Sequence, residues 1–193
     1  MAFQHVIPSG ASATPPPDPG LSRPRPAIGI RPIRPSDVEL ERRFADGLSA
    51  RSRYLRLLSG RELQPGELER WANVDPSREI GLVALVGEGV DEEEIGFAQG
   101  VLEDAAVGRW DFAIVIADAW QRRGLGRRLL GELVEAARAA GVATLSGITL
   151  AENHGMAALA RQLGFSIRRE DGDATLLRLE LPLRQPARIT RPS

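Results

Sequence analysis

Trp110-Asp-Phe-Ala-Ile-Val-Ile-Ala-Asp-Ala-Trp-Gln-Arg-Arg-Gly-Leu-Gly-Arg-Arg-Leu-Leu130, with its continuation to Ala140, is the stretch whose reading decides the fold. Phe112–Ile116 is a short apolar run rich in β-branched residues, which predicts a buried strand. From Leu125 onward apolar residues recur at Leu129, Leu130, Leu133, Val134, Ala137 and Ala140, the spacing of a helix with one buried face. Gly141 then stands where a helix C-cap glycine is expected.

Between strand and helix lies Gln121-Arg-Arg-Gly-Leu-Gly126. The first amides of a helix have no intrahelical partner, and the helix dipole favours negative charge there. Gly124 and Gly126 carry no Cβ that would keep a ligand from those amides, and Arg122, Arg123, Arg127 and Arg128 crowd the same turn. The combination suits a phosphate or diphosphate. It is not the dinucleotide fingerprint, because no third glycine follows three residues after Gly126, and no Gly-Lys-Ser/Thr is present for a Walker loop. A tight strand-to-helix turn with a solvated basic face is the plainer alternative.

The same residues resemble the Gln/Arg-x-x-Gly-x-Gly/Ala signature of the GNAT superfamily of acetyl-CoA-dependent N-acetyltransferases. The resemblance continues in Asn153-His-Gly-Met-Ala-Ala-Leu-Ala-Arg-Gln-Leu-Gly-Phe165. Upstream, Ile30-Arg-Pro-Ile-Arg-Pro-Ser-Asp37, Leu48-Ser-Ala-Arg-Ser-Arg-Tyr-Leu-Arg56 and Arg78-Glu-Ile-Gly-Leu-Val83 resemble the GNAT domain of bacterial protein-lysine acetyltransferases. It spans roughly Ala27 to Leu183, so residues 27–183 are read as one acetyltransferase domain between a Pro-rich, disordered tail (1–26) and a short polar tail (184–193).

The chain has 193 residues, 42% of them hydrophobic, enough for one packed domain. Its net charge of −1 does not suggest a nucleic-acid-binding surface. With no cysteine, disulfides, thiolate metal sites and a Cys nucleophile are excluded, and His5 and His154 alone make a histidine metal site unexpected. No apolar run is long enough to span a bilayer, and no leader pattern opens the chain, so a cytoplasmic protein is the default expectation.

Outward from the central stretch, Ala27–Ile33 predicts an edge strand, and Ser36-Asp-Val-Glu39 a capping box opening a helix that turns Leu40, Phe44 and Leu48 inward. Arg51–Leu58 and a segment opened by Gln64-Pro65 predict two further short helices. Glu79–Val86 and Glu94–Leu102 predict a hairpin, Thr144–Leu150 the strand after the long helix, and Phe165–Arg169 with Ala174–Leu181 a final hairpin around Asp171-Gly172. Asn153 is placed to cap the helix carrying Met156, Leu159, Ala160 and Leu163. The expected architecture is α/β (α+β): a mixed, mostly antiparallel sheet of six or seven strands flanked by helices. The resemblance adds that two neighbouring strands splay apart.

It also assigns roles. Ile114, Val115 and Ile116 would pair their backbone with the pantetheine arm of acetyl-CoA. Gln121, Arg122, Arg123, Gly124, Leu125, Gly126 and Arg127 would hold its diphosphate, and Asn153 would touch the arm or serve only as a cap. Asp111 is the candidate general base, where similar enzymes place a Glu; the shorter Asp reaches less far. Ala160 occupies the position of the tyrosine that many relatives use as an acid toward the leaving thiolate, and Tyr54 falls on the acceptor wall. The implied partners are acetyl-CoA and a primary amine, a protein lysine foremost, with no nucleic acid, membrane or metal and with room for a homodimer. A small-molecule amine or protein N-terminus as acceptor, and a CoA-binding sensor with weak catalysis, are the alternatives.

Overall fold

The computed structural model describes residues 27–57 and 65–183; both expected tails and Gln64 lie outside them. The chain runs β1 (Ile28–Pro32), α1 (Val38–Gly47), α2 (Ala50–Leu57), α3 (Pro65–Ala72), β2 (Glu79–Val86), β3 (Glu93–Asp104), β4 (Arg109–Ile116), α4 (Leu125–Ala139), β5 (Thr144–Leu150), α5 (His154–Gln162), β6 (Ser166–Glu170) and β7 (Asp173–Pro182). The seven strands form one sheet in the order β1-β2-β3-β4-β5-β7-β6. Every neighbouring pair is antiparallel except β4–β5, which is parallel. This is the mixed, mostly antiparallel sheet the sequence predicts.

Strand alternation sends side chains to two cores. On one face α4 buries Leu125, Leu129, Leu130, Leu133, Val134 and Ala137 against Ile95, Phe112, Leu145 and Leu179. Each of those leucines contributes about 1.5–3 kcal/mol by leaving water. On the other face α1 and α3 bring Phe44, Leu48, Leu68 and Trp71 onto Phe97 and Val115. Trp71 stacks on Phe97 with ring centroids 5.8 Å apart.

The start of α1 differs from the expected capping box. Asp37 is the N-cap, and no side chain of Ser36 caps the helix. The Asp37 carboxylate instead accepts the Arg34 backbone N–H at 2.8 Å and two bonds from the Arg31 guanidinium at 2.6 and 3.0 Å. A forked, charge-assisted pair outcompetes a neutral hydroxyl at this corner. The inward turn of α1 is as expected: Phe44 and Leu48 are buried.

Candidate active site

β4 and β5 pair only at Arg109↔Thr144, Trp110↔Leu145 and Asp111↔Ser146. Beyond that point β4 runs on to Ile116 and β5 to Leu150 without pairing to each other. The Phe112 ring sits at the parting, 5.1 Å from the Phe165 ring. A Cβ on Gly147 would stand 2.7 Å from Phe112 Cε1 and 3.0 Å from the Phe112 carbonyl oxygen, so only glycine admits the two strands this close before they separate. The gap opens into a cleft of about 440 Å³ bounded by β4, β5, α2, α5 and the turn before α4.

One edge of β4 is therefore unpaired where it faces the cleft. The Ala117 N–H donates to the Ile95 carbonyl at 3.0 Å, which turns that residue's backbone toward β3. By alternation Val115 also turns its N–H and C=O to β3, while Ile114 and Ile116 turn theirs to the cleft side, where the Gln121 amide already occupies the Ile116 carbonyl. The Val115 side chain belongs to the second core.

The turn from β4 to α4 is a cradle of left-handed backbone at one end of the cleft. Arg122 adopts a left-handed backbone (φ 58°), as does Gly124 (φ 87°). Such a conformation costs a non-glycine residue about 1 kcal/mol or more. Gln121, Arg122, Gly124, Gly126 and Arg127 line the cleft together with Ile114, Val115, Ile116 and Asn153. A Cβ on Gly126 would meet Leu159 at 3.4 Å, an ordinary contact, so the glycine leaves extra room in the cleft rather than relieving a clash. Three of the predicted residues, Asp111, Arg123 and Leu125, stand apart from the cleft wall. Leu125 is buried in the α4 core, and the Arg123 guanidinium lies over the Trp120 ring, 5.7 Å from its centroid. Asn153 serves both readings: its Oδ1 accepts the Met156 N–H at 3.1 Å as the α5 cap, and it also faces the cleft.

Asp111 stands at the vertex, next in sequence to the cleft-lining Phe112. The residue is solvent-exposed, while the protein packed around it crowds the carboxylate. That crowding, aided by the Glu103 charge, pushes its pKa up to about 6; Arg178 and Arg56 act in the opposite direction. An ionisable group so tuned can take a proton near neutral pH. Ala160 is fully buried in the α4 core and supplies no hydroxyl. Two cleft-lining hydroxyls are not singled out by the sequence: Thr149 carries no motif, and Ser52 lies within the Leu48–Arg56 stretch without a role of its own there. Among the described residues no cluster of His, Asp and Glu is arranged to hold a metal, and no helix is long and apolar enough to cross a membrane.

With this geometry in hand, the comparisons with known proteins agree on one description. The acetyltransferase (GNAT) domain matches residues 28–166. A curated acetyltransferase of Pseudomonas aeruginosa is 33% identical over 147 residues, covering 76% of this chain and 78% of the relative. The GNAT domain of PAT from S. lividans superposes with a TM-score of 0.70 at 24% identity, covering 79% of this chain and 89% of that one. The yncA protein of Salmonella typhimurium, solved with acetyl-CoA, superposes at 0.63 with 20% identity, covering 83% and 96%.

Proposed function

Because the chain belongs to the acetyltransferase (GNAT) family and is an acyltransferase enzyme, we propose that it passes an acetyl group from acetyl-CoA directly to a primary amine, with a protein lysine as acceptor. The parting of β4 from β5 after Asp111 and Ser146, leading straight to the arginine-flanked cradle, carries this reading. The diphosphate fits the amides from Arg122 to Arg127, and the arm lies along Ile114 and Ile116, whose backbone groups face the gap. The acyl end then comes to the vertex beside Asp111. A Salmonella relative of the same fold binds acetyl-CoA.

A lysine amine is neutral only about once in several thousand molecules at pH 7. Asp111 takes its proton, directly or through one water, as the amine nitrogen attacks the thioester carbonyl. The C–N bond forms, the C–S bond breaks, and CoA leaves as a thiolate. With Ala160 in place of a hydroxyl donor, that thiolate leaves without proton transfer from α5. No cysteine is present to carry an acyl intermediate, so transfer is a single displacement between bound partners.

The test is release of free CoA thiol when the protein and acetyl-CoA are offered N-terminally blocked lysine peptides, free-N-terminus peptides and small amines. Fastest release with the blocked lysine peptides is expected. Faster release with another class moves the acceptor to that class. Acetyl-CoA binding without release to any amine would make the chain a CoA-binding module, the reading that Ala160 favours.

A further inference from the structure

Asp118, in the turn that leaves β4, reaches back to the first turn of α2. Its Oδ2 accepts the Ser49 N–H at 3.0 Å, and its Oδ1 accepts the Ser49 hydroxyl at 2.8 Å and the Ser52 hydroxyl at 2.9 Å. Ser49 in turn caps α2, its Oγ accepting the Ser52 N–H at 3.2 Å. The Gln121 amide then donates from one nitrogen to the Ser52 Oγ at 3.1 Å and to the Ile116 carbonyl at 3.0 Å. Burial alone would raise the Asp118 pKa, but these donors outweigh it and hold the carboxylate below its ordinary range. The network is thus charged and joined across 66 or more residues of sequence.

Its two ends belong to the two sides of the cleft. Gln121 precedes Arg122, whose left-handed backbone shapes the cradle. Ser52 is buried on α2, one helical turn before Arg56, and both face the cleft. Arg56 reaches electrostatically to Asp111 and lies over the Trp71 ring at 5.0 Å. Gln121, which the diphosphate motif assigns to the cofactor and which lines the cleft, also gives its amide to this link.

We propose that Asp118 and Gln121 are positioning residues that couple the cradle to α2, so that occupancy of the cradle sets where the acceptor wall, and Arg56 with it, stands. A shift of the turn on binding moves Asp118 and Gln121, and the charge-assisted bond from Ser52 to Asp118 together with the neutral bond from Gln121 transmits that shift to Ser52. Filling the cradle therefore orders α2, and the acceptor binds best to the loaded enzyme. The inference rests on reading the cleft as the acetyl-CoA site.

Amide hydrogen exchange with CoA as the probe tests it, using the full chain and the variants Asp118→Asn and Ser52→Ala. In the native protein CoA slows exchange both in residues 122–128 and in residues 50–57. In either variant the protection of 122–128 persists within twofold, while that of 50–57 falls at least threefold. In turnover with the best acceptor from the amine panel, the acceptor KM rises about tenfold while the acetyl-CoA KM moves less than twofold; a merely structural loss would lower kcat with no such split. Equal protection of α2 in native and variant proteins, or α2 left unprotected in the native protein, overturns the coupling. Absence of protection in 122–128 of the native protein overturns the cofactor reading itself, and the coupling with it. Cooperative melting of each variant confirms that it is folded, and Ser52→Ala alone decides the matter if Asp118→Asn does not fold.

Discussion

Asp111 and Ser146 are the last residues to pair across β4 and β5. The sheet is intact up to the candidate base and open immediately past it. A group at such a vertex is held by strand backbone on both sides while its neighbour Phe112 already faces the gap. The proposed base role of a short aspartate rests on this rigid placement, since strand scaffolding places side chains more reproducibly than loops do.

Replacing Asp111 by Asn should lower kcat by about 10²–10⁴ with little change in the acetyl-CoA KM. The pH profile carries the same information. A base must be ionised, and the Asp111 pKa is raised to about 6, so kcat/KM should fall as pH drops through that value. The variant should lose this limb. Arg56 favours the ionised form, and Arg56→Gln should therefore move the limb to higher pH. An unchanged rate in Asp111→Asn assigns the proton transfer elsewhere.

Gly147 should tolerate no side chain. An added Cβ would sit 2.7 Å from the Phe112 ring and 3.0 Å from its carbonyl oxygen, and backbone cannot yield as a flexible side chain can. Gly147→Ala is expected to destabilise the protein by about 1–3 kcal/mol, measured as a lower denaturant midpoint. Where the variant folds, its acetyl-CoA KM should rise, because the Phe112 wedge is displaced into the gap.

Acetyl-CoA should raise the melting temperature by mass action on the folded state. At a hundredfold excess over Kd the gain is about 2.7 kcal/mol, which for a domain of this size corresponds to several degrees. Arg127 lines the cradle and is exposed. Arg127→Ala should reduce the shift, and added salt should reduce it in the native protein, as screening predicts for an exposed cation against a diphosphate.

Much of this was legible in the residues alone. The 3.6-residue spacing from Leu125 and the glycines of the turn announced α4 and its N-terminal cradle, because both depend on neighbours in sequence. The β4–β5 parting did not announce itself as geometry: it depends on how Phe112 meets Gly147, which lie on different strands. The bond from Gln121 to Ser52 was not legible, because the two residues lie 69 apart in sequence. Ser36 read as a cap because nothing local shows that Arg31 and Asp37 would close the same corner. Nothing local marks Glu41 as buried; its burial follows only from what α1 packs against.

That last residue gives the remaining prediction. Glu41 and Glu94 are buried, and none of their four carboxylate oxygens has a partner among the donors around them. Facing each other, they form a hydrogen bond only when a proton is shared between them. Burial raises both pKa values, that of Glu41 to about 7, and the Glu41 charge raises Glu94 further. Asp37 also faces the pair and adds to the rise, while Arg56 beside Glu41 and Arg31 beside Glu94 oppose it. The unfolded chain releases these protons at ordinary carboxylate pH, so across that range the folded state binds more protons than the unfolded one. Stability from the pair is then complete below about pH 4.5 and is lost progressively as pH rises toward and past 7. Glu94→Gln mimics the protonated partner and donates an N–H to Glu41. Denaturant midpoints measured from pH 5 to pH 8.5 should show the native protein losing stability with a steeper slope than Glu94→Gln, with the variant the more stable at pH 8.5. Parallel slopes would mean that the two carboxyls do not hold their shared proton in the folded protein.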